Sequence, residues 1–244
     1  MNRANPLWDS GIAFLRRALP KPPATVLDVG CGRGEVAAKL LKLGYSVTAI
    51  DPDPRAVGAA KRHGVTAIRA SIQSFAGGPF DACVCVYTLH HLASLSNAVK
   101  RVRLLLKPGG RFLVVDYAWE EADEPTATWL YDHLGAFVSA GVAKARWGLP
   151  GPGDSPRMFW RHLHDGRSGE REQSGRSTIR AVRSQFRSVG IERTPYLFAT
   201  VSGQVSGARR AAVSRYLLEL EVRQIQKGAL RPLGIQLVAK APLT

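Results

Sequence analysis

Cysteine is scarce in this chain: Cys31, Cys83 and Cys85 are the only three among 244 residues. An odd count without metal-type pairing excludes a disulfide framework and a cysteine-held zinc site. Cys83 and Cys85 alternate along an apolar run and so share one strand face. As buried thiols they suit a reducing cytosol, which makes a cytoplasmic location the expectation. Long hydrophobic runs are absent too. No stretch approaches the roughly 20 apolar residues of a membrane span, and the opening MNRANPLWDS has no apolar signal core, so no membrane partner is expected. Acids are in deficit, with 19 Asp and Glu against 34 Lys and Arg, for a formal net charge of +15. The excess is mostly arginine, densest over 157–187. It reads either as a solvated surface or as a face for an acidic partner such as nucleic acid.

What is present is an ordered alternation. Apolar runs TVLDV (25–29), YSVTAI (45–50), VTAIRA (65–70), FDACVCVY (80–87) and RFLVVDYAW (111–119) read as strands. Between them, 34–43, 55–62 and 94–106 carry helical spacing, punctuated by Gly44, Gly64 and KPGG. Strands alternating with short helices imply an α/β fold with a parallel sheet, and apolar character on both strand faces fits a sheet covered on both sides. After Trp119 the rhythm breaks. EEADE precedes a helix from Pro125, a Gly- and Pro-rich loop spans 148–156, and a polar, Arg-rich stretch runs to 176. Regular structure is expected again as a helix at 177–188, a strand at 194–201, an amphipathic helix at 207–227 and a last strand at 235–241. The length suits a single domain with three parts: 1–119, 120–176 and 177–244.

The first strand leads into VLDVGCGRGE (26–35), where Gly30, Gly32 and Gly34 occupy a strand-to-helix turn. Glycine there admits positive φ and lets backbone N–H groups approach a ligand, and the following helix N-terminus adds partial positive charge. Asp51 ends the second strand about 20 residues later, where a carboxylate can grip both hydroxyls of a ribose. The spacing is G-x-G-x-G and not the G-x-G-x-x-G of dinucleotide sites. Glu35 in the first helical turn sits badly beside a phosphate. A ligand carrying positive charge tolerates Glu35 and Asp28 alike.

VLDVGCGRGE and AIDPD, together with FDACVCVYTLHHL (80–92) and LLLKPGGRFLVVDY (104–117), resemble the class I S-adenosylmethionine-dependent methyltransferases, in their small-molecule, ubiquinone-biosynthesis-like branch. The resemblance implies a Rossmann-like seven-stranded sheet of order 3-2-1-4-5-7-6 with strand 7 antiparallel, and a lid inserted after strand 5 over 120–176. It implies S-adenosylmethionine as cofactor, with S-adenosylhomocysteine as its product. Gly30, Cys31, Gly32 and Gly34 would form the loop under the methionine part, Asp28 would help hold the ammonium group, and Asp51 with Pro52 would meet the ribose. Ser71 stands where many relatives carry an Asp for the adenine amine, so Ser71 and Ile72 are the adenine candidates. Tyr87 to His91 would line the methionine end.

Methyl transfer needs a base only where the acceptor must lose a proton. His90 and His91 are the candidates; on a continuing strand they would face opposite ways, and His91 is assigned to the cleft from the family's layout. Trp119, Trp129 and Tyr196 are candidate walls for an organic acceptor. His162 and His164 are candidate acceptor contacts or an exposed pair; no third ligand accompanies them, so no metal is expected. Three readings follow. The first is transfer of a methyl group to O or N, less readily C, of a small molecule by a monomer or homodimer. The second is RNA or protein methylation on the basic surface, against which stand VYTLHHL in place of an Asn/Asp-Pro-Pro-aromatic motif and the lack of a base-attacking cysteine. The third is a non-catalytic S-adenosylmethionine-binding module.

Overall fold

The computed structural model describes residues 6–144, 153, 155–164 and 172–243, with side chains from residue 10 onward. In chain order the elements are α1 (Pro6–Ala18), β1 (Thr25–Val29), α2 (Glu35–Lys42), β2 (Ser46–Asp51), α3 (Pro54–Arg62), β3 (Thr66–Arg69), β4 (Phe80–Val86), a 3-10 turn (Leu89–His91), α4 (Leu95–Leu105), β5 (Leu106–Tyr117), a second 3-10 turn (Trp119–Glu121), α5 (Glu124–Ser139), α6 (Pro156–His164), α7 (Gly175–Gln185), β6 (Ser188–Thr194), α8 (Leu197–Ser202), α9 (Arg209–Gln226) and β7 (Gly234–Lys240). The strands form one seven-stranded sheet, ordered β3-β2-β1-β4-β5-β7-β6, as expected. β1 pairs in parallel with β2 and β4, β2 with β3, and β4 with β5. Strand β7 runs the other way. Gly109 N–H bonds to the Pro242 carbonyl, Ala241 N–H to Gly110, and Ala118 N–H to Leu233, so partners descend as residues ascend.

Local chemistry explains the elements. The Asp53 side chain accepts from Arg55 N–H and Pro54 opens α3, so the DPDP that ends β2 also caps the next helix. In β4, Ala82 to Val86 are all buried, and in β5, Phe112 to Val115 are too. Burial on both faces removes the polar alternation of a half-wet strand and leaves the continuous apolar runs visible in the sequence.

The chain divides into two compact units. One comprises Gly11–Asp116, Gln173–Glu192 and Ile235–Thr244 and contains the sheet with α2, α3, α4 and α7. The other comprises Met1–Ser10, Tyr117–Glu172 and Arg193–Gly234 and contains α5, α6, α8 and α9. In this second unit α5 packs on α6 and on α8, and α8 packs on α9.

Three expectations are corrected here. The strand expected at 194–201 lies earlier, at Ser188–Thr194, and LFATVS forms the helix α8 instead. Pro195 stops the strand, and β-prone residues become helical because the helix is buried nearly all round and its start is capped from α9. Glu221, with no exposed surface, accepts N–H groups from Tyr196, Leu197 and Phe198 at 2.8, 3.0 and 2.8 Å. Second, the polar stretch after residue 156 holds α6, opened by Pro156 and by Ser155 Oγ accepting from Met158 N–H. The rest of the loop at 148–156 and residues 165–171 fall outside the described residues, apart from Gly153 and Ser155. Third, β5 begins at Leu106 and takes in KPGG, with a register shift between Phe80 and Ala82.

Glu221 therefore carries the start of α8. Burial pushes its carboxyl pKa up, against the pull of its three donors. Glu221→Ala orphans those donors and is expected to cost about 2–4 kcal/mol of stability, with Glu221→Gln losing less. Urea unfolding checks this; an unchanged midpoint in Glu221→Ala would show that the cap contributes nothing.

Candidate active site

The site begins with the turn after β1. Gly30 N–H and Cys31 N–H both reach the Ile50 carbonyl, at 2.9 and 3.0 Å. Gly32 N–H donates to Asp51 Oδ2 at 2.9 Å, and Asp53 N–H donates to Asp51 Oδ1 at 2.9 Å. One carboxylate thus ties the glycine turn to the end of β2. The three glycines share a positive φ but differ in what a side chain would meet. A Cβ on Gly30 would lie 2.3 Å from the Thr88 methyl, and one on Gly34 would lie 2.8 Å from Ala60 Cβ. A Cβ on Gly32 meets nothing within 4 Å. Gly30 and Gly34 are bare for packing, whereas Gly32 is bare toward open space.

That space is a cavity of about 380 Å³, within the usual range for small-ligand sites. Of the expected cofactor residues, Gly30, Gly32, Asp51, Pro52, Ser71, Ile72 and Tyr87 line it, and so does His91. Asp28, Cys31 and Gly34 do not; they lie in or beneath the turn. Thr88, within the expected Tyr87 to His91 stretch, lines it too, while Gln73 and Leu92 were not anticipated. Ser71 and Ser74 hydroxyls exchange bonds with each other's backbone N–H, fixing the loop that carries Ile72 and Gln73. Tyr87 has φ of +53°, a left-handed conformation that side chains rarely adopt, at the point where β4 gives way to the cavity wall.

Two titratable groups lie under the turn. Asp28 is 1% exposed, and burial pushes its pKa up to about 7, with nearby Asp51 and Glu35 adding to the rise. Its Oδ2 has no hydrogen-bond partner. Such an orphaned carboxylate oxygen is costly unless positive charge arrives nearby. Burial also pushes the Cys31 thiol up to about 12, so Cys31 is no nucleophile at neutral pH.

The histidine pair departs from the strand geometry considered above. β4 ends at Val86, and Leu89–His91 form a 3-10 turn. The two rings do not face opposite ways; their centroids lie 3.9 Å apart. His90 is buried with Nδ1 2.7 Å from Asp116 Oδ1, a contact that spans 26 residues in the chain. His91 is exposed at the cavity, and burial of part of its ring, with His90 beside it, lowers its pKa below 6.5.

The remaining candidates belong to the other unit. Trp119 stacks on His164 at 5.7 Å, Trp160 lies 4.4 Å from His164, and Tyr117 stacks on Tyr196 at 4.4 Å. Trp160 Nε1–H donates to the Trp119 carbonyl, and Tyr117 OH donates to Glu172. Trp129 stands apart from this cluster and stacks on His133. His162 and His164 do not act as a pair: two residues apart on α6, His162 is exposed and His164 buried. Spacing of two joins side chains on a strand but separates them on a helix.

Residues 2–141 match the profile of the family described as a methyltransferase domain. The chain belongs to that family. The chain is 36% identical over 110 residues to a ubiquinone biosynthesis O-methyltransferase of Xylella fastidiosa, a match covering 41% of this chain and 45% of that protein. The matched region is thus less than half of the curated relative's length. Solved structures extend the likeness in fold. An S-adenosylmethionine-dependent methyltransferase of Thermotoga maritima superposes with a TM-score of 0.57 at 14% identity, covering 96% of this chain and 88% of that one. The N-methyltransferase NodS of Bradyrhizobium japonicum, solved with S-adenosyl-L-homocysteine, gives 0.56 at 16% identity, covering 98% and 90%.

The methyltransferase's residues fit S-adenosylmethionine as cofactor. Asp51 keeps acceptor capacity for ribose hydroxyls after receiving its two backbone N–H bonds. Gly32 leaves the turn open toward the cavity, and the orphaned Asp28 oxygen suits a cationic ligand. Among the described residues, no helix is long and apolar enough to cross a membrane.

The two reasons for glycine separate experimentally. Gly30→Ala is expected to destabilise the fold strongly through the Thr88 clash. Gly32→Ala stays folded, losing about 1–2 kcal/mol to its left-handed backbone. Its methyl group enters the cavity, so affinity for S-adenosylhomocysteine drops at least about tenfold. Thermal unfolding paired with calorimetry reads both, and equal behaviour of the two variants would contradict the assignment.

Proposed function

We propose that the methyltransferase moves a methyl group from S-adenosylmethionine to an oxygen or nitrogen atom, less readily carbon, of a small organic molecule. The observation that carries this reading is His91: a neutral imidazole lines the same cavity as Gly32 and Asp51. The printed activities of its relatives, an O-methyltransferase and an N-methyltransferase, support either atom. When bound, the cofactor supplies an electrophilic methyl group on a sulfonium.

The chain's own residues supply placement and a proton acceptor. Asp51 enters the reaction with its orientation already set by Gly32 and Asp53 N–H, so little ordering is left for the binding step. Tyr87 and Leu92 wall the cavity beside His91 and restrict the poses open to an acceptor. Alignment of this kind is worth up to about 7–11 kcal/mol in well-oriented intramolecular reactions. His91 takes the proton that an O–H or N–H acceptor gives up, and the downward shift of its pKa by burial favours the neutral ring that this needs.

The test is incubation with labelled cofactor and a metabolite extract, read as a mass gain of one methyl group in a small molecule. Stoichiometric label in one RNA species or protein would overturn the acceptor class. For His91, Gln is expected to lower kcat by about 10²-fold or more while leaving S-adenosylhomocysteine affinity nearly unchanged. A base must be unprotonated to work. Since the His91 pKa is shifted down, the acid limb of the wild-type rate lies at lower pH than an ordinary histidine would give. That acid limb disappears in His91→Gln. An acid limb that persists unchanged in the variant would remove His91 from the proton-accepting role.

A further inference from the structure

A second cavity lies in the sheet-bearing unit, where α4 and α7 pack together, with a volume of about 440 Å³. Its lining is mixed: Ala93, Leu95 and Ala181 are apolar, Ser94, Ser96, Ser177 and Ser184 carry hydroxyls, Gln173 an amide, and the exposed Arg180 the one charge. No Asp or Glu lines it, and among the described residues no carboxylate pairs with Arg180. The cavity shares no lining residue with the cofactor cavity, yet Leu92 walls one and Ala93 the other, consecutive residues about 3.8 Å apart.

The backbone adds to this. Ser94 is the N-cap position of α4 and Leu95 and Ser96 are its first residues, and the Ser94 side chain gives the helix no cap. The first-turn N–H groups of α4 are therefore left to an outside acceptor. The start of α7 faces the same cavity through Ser177 but is already capped, by Ser174 accepting from Ser177 N–H. A guanidinium with no described carboxylate partner, an uncapped helix start and a ring of hydroxyls without an acid converge on one space. Each element prefers negative charge and oxygen acceptors.

We propose that this cavity is an oxyanion site, taking a carboxylate or phosphate group. Arg180 donates charge-assisted hydrogen bonds to it, and the Leu95 and Ser96 N–H groups with the Ser94, Ser96 and Ser177 hydroxyls complete its ligation, the Ser184 hydroxyl being spent on the Ala181 carbonyl. Two sources carry that chemistry: a free inorganic anion, or the acid group of the methyl acceptor, which would rest on the function proposed above.

The probe is inorganic phosphate, titrated into the full chain at fixed ionic strength and followed by backbone amide resonances. Saturable shifts are expected at Leu95 and Ser96 and along the Ser177–Ser184 face of α7. Arg180→Gln is expected to weaken phosphate at least about tenfold, as for a lost charged hydrogen bond. Arg183→Gln, on the same helix but outside the cavity, should change it by less than about twofold, as for a general surface charge. Phenyl phosphate separates the sources. Markedly tighter binding than inorganic phosphate assigns the site to an organic acceptor, and equal binding assigns it to a free anion. Shifts scattered over many arginines, or equal losses in the Arg180 and Arg183 variants, would overturn the site. Calorimetry with S-adenosylhomocysteine on the same samples keeps the two claims apart. Intact cofactor-product binding without a phosphate site refutes only the oxyanion proposal, whereas absent binding in the wild type strikes the proposed function.

Discussion

The bond from Gly32 N–H to Asp51 Oδ2 is the contact on which the rest of the site depends. It joins the turn after β1 to the end of β2, two strands whose parallel register sets Val29 beside Ile50. With Gly30 and Cys31 N–H held on the Ile50 carbonyl, the turn has no freedom to close over the cavity. A left-handed backbone at three glycines is the local cost, and the Thr88 and Ala60 contacts show why no side chain is accommodated at two of them. The same carboxylate that shapes the turn is the group proposed to face a ribose. Structure and recognition share one residue, so a change at Asp51 alters the turn as well as the affinity.

The parallel half of the sheet was legible because burial on both faces writes itself as unbroken apolar runs, and because Gly44, Gly64 and the DPDP segment mark helix ends and starts. The second unit was less legible for physical reasons. LFATVS is β-prone in isolation, and what makes it helical is Glu221, two dozen residues downstream, accepting three N–H groups at its start. Composition hid α6, since arginines and histidines on a short helix read as a polar stretch. Its start signal, Ser155-Pro156, was nonetheless present in the sequence.

The candidate site divides in the same way. Residues of the turn and of the two acidic strand ends followed from spacing, since that chemistry is local. The adenine-side loop was found only in part: Ser71 and Ile72 line the cavity, and Gln73 joins them unannounced. The contact between His90 and Asp116 could not be read from spacing, because it joins the 3-10 turn after β4 to the end of β5 and does not run along the chain. Its one sequence signal was an acid ending an apolar strand. His162 and His164 part company because a spacing of two on a helix sends them to different faces, one exposed and one buried. Asp28 shows the reverse: an acid identified from sequence as facing the ligand lies beneath the turn, buried and with one oxygen unpartnered.

The central claim is that the cavity at the glycine turn is built for S-adenosylmethionine and not for a dinucleotide. Calorimetric titration of the full chain with S-adenosylhomocysteine and, separately, with nicotinamide adenine dinucleotide tests it most directly. The account predicts saturable one-to-one binding of S-adenosylhomocysteine and at least about a hundredfold weaker binding of the dinucleotide, a difference of roughly 2.7 kcal/mol. Tighter binding of the dinucleotide would contradict it.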